Sequence, residues 1–229
     1  MIQKPTLDFL KQLSGNNYRE WFHEHKAEYE AAKQNVLEVT ATLLVEINKF
    51  DKSISVYEPK KCLFRIARDT RFANDKSPYK TNFGVIMNAA GSTRSELPGY
   101  YMHIEPGNCF VSCGVYMASP PVVKAIRAAI EDEWSLFSAI VNKKAFKDAF
   151  GTLVRDEDAL SRVPQGFDKD SPAAEYLKLK HFYVFRPITN KEVFSKDYIQ
   201  TAAHYYKLMQ PLNSFLLKAV TAYSSIMAN

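Results

Sequence analysis

Between positions 60 and 80 the chain carries seven cations, Lys60, Lys61, Arg65, Arg68, Arg71, Lys76 and Lys80, opposed only by Asp69 and Asp75. That local excess equals the formal +5 of the whole chain, so the remainder is balanced. Charge concentrated this way suits a local task better than a diffuse basic coat, which disfavours nucleic acid as a partner. The chemistry on offer is recognition of a small phosphate or carboxylate. Arginine supplies a bidentate fork, lysine a mobile point charge, and Tyr79 a hydroxyl or a stacking face. Asp69 or Asp75 could orient an arginine, or act as a base if the site is catalytic, a question left open. The candidate ligand-binding set is therefore Arg65, Arg68, Asp69, Arg71, Asp75, Lys76, Tyr79 and Lys80.

Two other readings stand beside this one. In the first, Asp69 and Asp75 brace the arginines in an ion-pair network that ties a loop to a sheet. Two carboxylates cannot neutralise seven cations, although Glu58 or Glu105 could contribute. In the second, the basic loop docks a protein or a nucleic acid. Strand alternation constrains all three. If 63–69 is extended, Arg65 and Arg68 project to opposite faces, and only a return of the loop 70–80 could bring Arg71, Lys76 and Lys80 back over one of them.

The elements that must hold this segment can be read from hydrophobic spacing. Residues 6–50 are helical, with Thr6 as a first cap, a stop at Ser14-Gly15, and Asn17 capping a second helix with Glu20 at N3. The sheet occupies 54–116, with runs at 54–57, 62–67, 83–87, 100–105 and 109–116. The last two flank Pro106-Gly107-Asn108, a hairpin signal that sets Tyr101 opposite Cys113. Helices follow over 119–150, opened by Ser119 with Pro120 at N1. A loop, a short helix and a strand at 182–186 fill 155–187. Thr189 and Glu192 form a capping box that launches a C-terminal helix over 190–226, bent or broken at Pro211. The expectation is one α+β domain over 1–229, an antiparallel sheet of about five to six strands packed by N-terminal and C-terminal helices.

Other function classes find little support. Cys62, Cys109 and Cys113 are too few for a disulfide framework and suit reduced thiols in a cytoplasmic protein. No run approaches the roughly 18–20 apolar residues of a membrane span, so no membrane role is expected. His103 with Cys109 and Cys113 lacks a fourth ligand and a knuckle, and His23 and His25 point to different helix faces, so no metal is expected. No phosphate-loop glycines, H-E-x-x-H, G-x-S-x-G or nucleophile–base pair occurs, and no cofactor is implied. Oligomeric state is not encoded in any pattern found.

Several stretches together carry a family likeness. They are Phe9–Leu13, Asn16–Phe22, Arg65–Phe72, Asp75–Thr81, Gly99–Gly107, Pro164–Asp168 and Glu175–Lys178. The central Arg-x-x-Arg-Asp-x-Arg-Phe and Asp-Lys-x-Pro-Tyr-Lys-Thr segments are the most specific. The chain resembles domain-of-unknown-function family 2461, conserved hypothetical proteins of bacteria and fungi, from about residue 6 to 220. The resemblance implies an intracellular α+β domain and hands over no activity or catalytic residue.

Overall fold

The computed structural model describes residues 1–71 and 73–227; Phe72 of the central motif lies outside them. Helix α1 spans Lys4–Gly15, with Pro5 in its first turn, where a missing N–H costs nothing. Thr6 is not its cap. That task falls to Asn35 across the helix pair, whose Oδ1 accepts from the Gln3 N–H at 2.8 Å and from the Thr6 hydroxyl at 2.9 Å. Helices α2 (Arg19–Glu24) and α3 (Lys26–Phe50) follow. Leu43, Leu44 and Ile47 of α3 are fully buried at helical spacing, which makes this helix one wall of the core.

Four antiparallel strands, among the described residues, form the sheet in the order β1-β2-β3-β4, with β1 at Phe83–Asn88, β2 at Gly99–Ile104, β3 at Cys109–Val115 and β4 at Phe182–Ile188. Between β3 and β4 the chain makes α4 (Pro120–Asp132), α5 (Trp134–Val141), α6 (Lys144–Phe150) and α7 (Ala174–Leu177). After β4 come α8 (Asn190–Val193) and α9 (Tyr198–Met227). The Thr189–Glu192 capping box forms as expected, but it launches only the single turn of α8. The long helix starts later and runs unbroken through Pro211.

The sheet has four strands, not five to six, because the runs at 54–57 and 62–67 do not extend. Pro59–Lys61 makes a 3-10 turn, and the chain then meets β1 at one point, Leu63 opposite Val85. There Phe64 donates its N–H to Gly84 O and Ile86 donates to Cys62 O. The chain next peels away and pairs with itself at Ala67 and Tyr79, where Arg68 N–H donates to Pro78 O and Lys80 N–H to Ile66 O. The Arg65–Thr81 motif is thus a hairpin arm hung from the sheet edge.

The sheet's two faces differ. Val85, Met87, Tyr100, Met102, Val111, Cys113 and Val184 are fully buried on the inner face, against α3 and α9. Asp51, at the end of α3, ties the layers together: it accepts from the Tyr100 hydroxyl at 2.6 Å and from Asn213 Nδ2 of α9 at 3.2 Å. A buried carboxylate needs such donors to persist. The register between β2 and β3 departs from expectation by one residue, with Tyr101 opposite Ser112 and Tyr100 opposite Cys113. The turn comprises Glu105–Asn108, closed by Asn108 N–H on Glu105 O at 3.0 Å, with Gly107 at φ +78°. A one-residue slip exchanges faces. Cys113 therefore joins Tyr100 in the core, while Tyr101 and Ser112 share the outer face.

Candidate functional site

The outer face of the sheet is the floor of a cleft of about 780 Å³. Tyr101, His103, Phe110, Ser112 and Tyr183 rise from it, while Phe64 and Lys80 of the hairpin arm and the 93–97 loop form walls. Two glycines keep the floor low. A Cβ on Gly114, at φ +138°, would fall 2.1 Å from Phe182 O, and one on Gly84 would fall 2.5 Å from the Tyr101 hydroxyl.

Along β2 and into the turn, residues 101, 103 and 105 point the same way, as strand pleating requires. Their side chains form a chain. Tyr101 Oη lies 3.1 Å from His103 Nδ1, and His103 Nε2 lies 3.1 Å from Glu105 Oε2. A carboxylate on Nε2 demands a proton there, which leaves Nδ1 as the acceptor for the tyrosine hydroxyl. Asn82 Nδ2, 3.4 Å from the same Nδ1, agrees with that tautomer. Glu105 is held in turn by the Thr81 hydroxyl at 3.0 Å and by Asn108 Nδ2 at 2.8 Å. Phe110 stacks flat on the imidazole, 4.5 Å between centroids and 11° between planes.

The electrostatics fit a neutral histidine between a phenol and a carboxylate. Burial pushes His103 below its ordinary value, more than the bond to Glu105 pushes it up. Burial also acts to raise Glu105, but its bonds from Asn108, His103 and Thr81 prevail and hold it low. Tyr101 rises to about 12 through burial and the nearby Glu105 charge.

The eight sequence candidates divide. Arg68 pairs with Asp75, and Arg71 forks onto Asp69 through Nε at 3.0 Å and Nη2 at 2.7 Å, both pairs on the exposed tip of the arm. Hydrogen bonds from Arg71 hold Asp69 down to about 2, and those from Ser77 and then Arg68 hold Asp75 lower still. Lys76 Nζ donates to Thr70 O at 3.0 Å. Tyr79 is structural: its ring stacks on Phe22 at 4.0 Å, and Asn17 grips its backbone, Nδ2 donating to Tyr79 O at 2.9 Å and Oδ1 accepting Tyr79 N–H at 3.1 Å. Asn17 is therefore a clamp on the motif and not a helix cap. A smaller hollow of about 400 Å³ lies there, between Asn17, Arg68, Tyr79 and Lys80.

Lys80 alone of the eight lines the main cleft. Its Nζ stands 5.4 Å above the Phe64 ring, half-buried, and burial followed by the neighbouring Arg65 charge lowers its pKa. Neither Lys80 nor Arg65 has a carboxylate within ion-pair distance among the described residues.

The family model described as conserved hypothetical protein (DUF2461) matches residues 5–215. The chain belongs to that family. No curated protein and no solved structure matches it. In this DUF2461 chain the residues that sequence reasoning missed are Tyr101 and Glu105, with His103 weighed only as a metal ligand. The signal was present: three hydrogen-bonding side chains at alternate positions, interleaved with the buried Tyr100, Met102 and Ile104. The described residues hold no group of three or more His, Cys, Asp or Glu arranged for a metal, and no helix long and apolar enough to cross a membrane.

Proposed function

We propose that the cleft on the outer face of the sheet binds a small ligand bearing a phosphate or carboxylate, with Lys80 as its principal cation. One observation carries the reading. A half-buried lysine lines a cleft within the field of a second cation, the exposed Arg65, and among the described residues neither has a carboxylate at ion-pair distance. Two like charges held together raise each other's energy, and a bound anion relieves both. Arg94 of the 93–97 loop is a second cation lining the cleft, beside Glu96, whose carboxylate accepts from the Ser119 N–H and hydroxyl. Phe64, Tyr101, Phe110 and Tyr183 offer apolar and aromatic surface for the rest of the molecule, the usual make-up of a small-molecule site.

The alternative of docking through the tip of the arm is less well supported. Arg68 and Arg71 are already engaged with Asp75 and Asp69 there. Isothermal titration with inorganic phosphate and with citrate tests the proposal. Saturable binding of either anion to the wild type, weakened at least tenfold by Lys80→Ala and unchanged by Lys76→Ala, is the expected result. Equal affinities in wild type and Lys80→Ala, or no binding at all, would overturn it.

A further inference from the structure

We propose that the cleft is catalytic, with Tyr101 as a general base that passes its own proton to His103, whose imidazolium Glu105 then pairs, and that it hydrolyses esters of small anionic acids. This rests on the anion-site reading for recognition of the substrate; the proton chain itself stands on separate geometry.

The chain has a direction. The Tyr101 hydroxyl proton is directed at His103 Nδ1, so the oxygen's remaining lone pairs are what it can present to a ligand in the cleft. A group so placed accepts a proton from the ligand side as it releases its own to the imidazole. The imidazolium that forms is paired at once, because Glu105 Oε2 is 3.1 Å from Nε2. Glu105 is itself fixed by Thr81 and Asn108, so the carboxylate is oriented before any charge develops. Phe110 covers one face of the ring and holds its plane. His103, mostly buried and kept neutral, is competent to accept.

The cation and the base flank one ring. Lys80 Nζ lies 5.4 Å from the Phe64 centroid and the Tyr101 ring lies 6.3 Å from the same centroid. A ligand whose carboxylate meets Lys80 therefore brings an ester carbonyl a few bonds away within reach of Tyr101.

The step balances with water as the only co-reactant. A water O–H bond breaks as its proton moves to Tyr101 Oη, and the Tyr101 proton moves to His103 Nδ1. The water oxygen bonds to the ester carbonyl carbon, and the carbonyl π pair becomes an oxyanion on the side of the cleft that Lys80 lines. Collapse breaks the carbon–oxygen bond to the leaving alcohol. That alkoxide recovers the proton back through Tyr101 from His103. The products are an acid and an alcohol, with the protein unchanged.

The test uses the full chain and the 4-nitrophenyl half-ester of glutaric acid, which pairs a free carboxylate with a chromogenic leaving group. Wild type is expected to hydrolyse it with saturation and to favour it over neutral 4-nitrophenyl acetate. Tyr101→Phe is expected to lower kcat about 100-fold, within the ordinary range of acid–base catalysis, with inorganic phosphate affinity intact. His103→Gln should fall similarly. Nitrogen-15 NMR of wild type at neutral pH should show His103 protonated at Nε2 and bare at Nδ1, a signature that shifts in Tyr101→Phe. Absence of saturable hydrolysis, an unchanged kcat in Tyr101→Phe, or the opposite tautomer would each overturn the relay. Phosphate binding that stays sensitive to Lys80→Ala in any of those cases would leave the anion site standing.

Discussion

Tyr101 occupies the space that a side chain at Gly84 would need: a Cβ there would lie 2.5 Å from the phenol oxygen and 3.2 Å from the carbon that bears it. The phenol reaches His103 because its neighbour on β1 has no side chain. Glycine weakens strands in general and marks places where another group must approach closely. Here the approaching group is the end of the proton chain.

Gly84→Ala is accordingly expected to separate stability from site geometry. The clash is with the far end of a side chain, so the ring can tilt away at a cost of about 1–3 kcal/mol, and the sheet survives. The Tyr101–His103 bond does not. Chemical denaturation should show a modest loss, while the His103 nitrogen-15 shifts should match those of Tyr101→Phe. Wild-type shifts in the alanine variant would show that the phenol has room to spare.

Acid should weaken the fold through the same group. His103 is held below its ordinary value in the folded chain. The unfolded chain therefore binds the proton first, and stability falls as pH drops below about 6.5, the ordinary imidazole value. Glu105, held low, works in the same direction at more acid pH, where its ionised-state stability is lost. The titratable groups bonded to the ring are Tyr101 on β2 and Glu105 in the turn, and β3 lays Phe110 against its face. Stability measured from pH 8 to 5 should decline, and His103→Gln should flatten the decline near pH 6.5.

The clamp on the motif predicts a local effect. Asn17→Ala leaves both the N–H and the C=O of Tyr79 without their partners. Groups stranded in this way cost about 1–3 kcal/mol. Amide exchange at residues 66–68 and 78–80 should accelerate in this variant well before exchange in β2 and β3. Uniform acceleration across the sheet would contradict the picture of a separate arm.

The buried node at Asp51 predicts a global one. Tyr100→Phe removes its 2.6 Å donor and leaves Oδ2 with Asn213 alone. A loss of about 1–3 kcal/mol is expected, distributed over the whole unfolding transition. Denaturant titration followed by both tryptophan fluorescence and circular dichroism should shift together; a change in one probe alone would count against a shared anchor.

The strands were legible where hydrophobic alternation was backed by a turn signal. Residues 83–87, 100–105, 109–116 and 182–186 all lie on strands or within two residues of their ends. Residues 54–57 and 62–67 alternate equally well but have no neighbour to pair with beyond Leu63 and Ala67, and pairing is a tertiary matter that local spacing does not encode. The register slip at the hairpin has the same origin: Pro106-Gly107-Asn108 announces a turn, but Glu105 also belongs to it. As for the site, charge counting led to the right arm and to the wrong part of it. Arg68 and Arg71 dominate the composition, yet they pair with acids two and seven positions away. Lys80 and Thr81, at the motif's end, are the residues that reach the cleft wall and Glu105. Nothing in the spacing separates a paired cation from an unpaired one.

Tyr101 and His103 on β2 and Glu105 in the turn that follows alternate along one continuous run of chain. Their mutual spacing is fixed by the pleat of a hairpin whose turn lies between 104 and 109. It therefore forms with the most local contacts in the sheet and should be among the earliest and last-to-melt parts of it. Lys80 arrives on a different hairpin, attached at the sheet edge near Leu63 and Val85. One half of the cleft is thus set by the sheet itself. The other is set by the arm's own anchors, the Leu63–Val85 bridge, the Asn17 clamp on Tyr79 and the Thr81–Glu105 bond, so the distance between charge and base depends on how two hairpins are tied together.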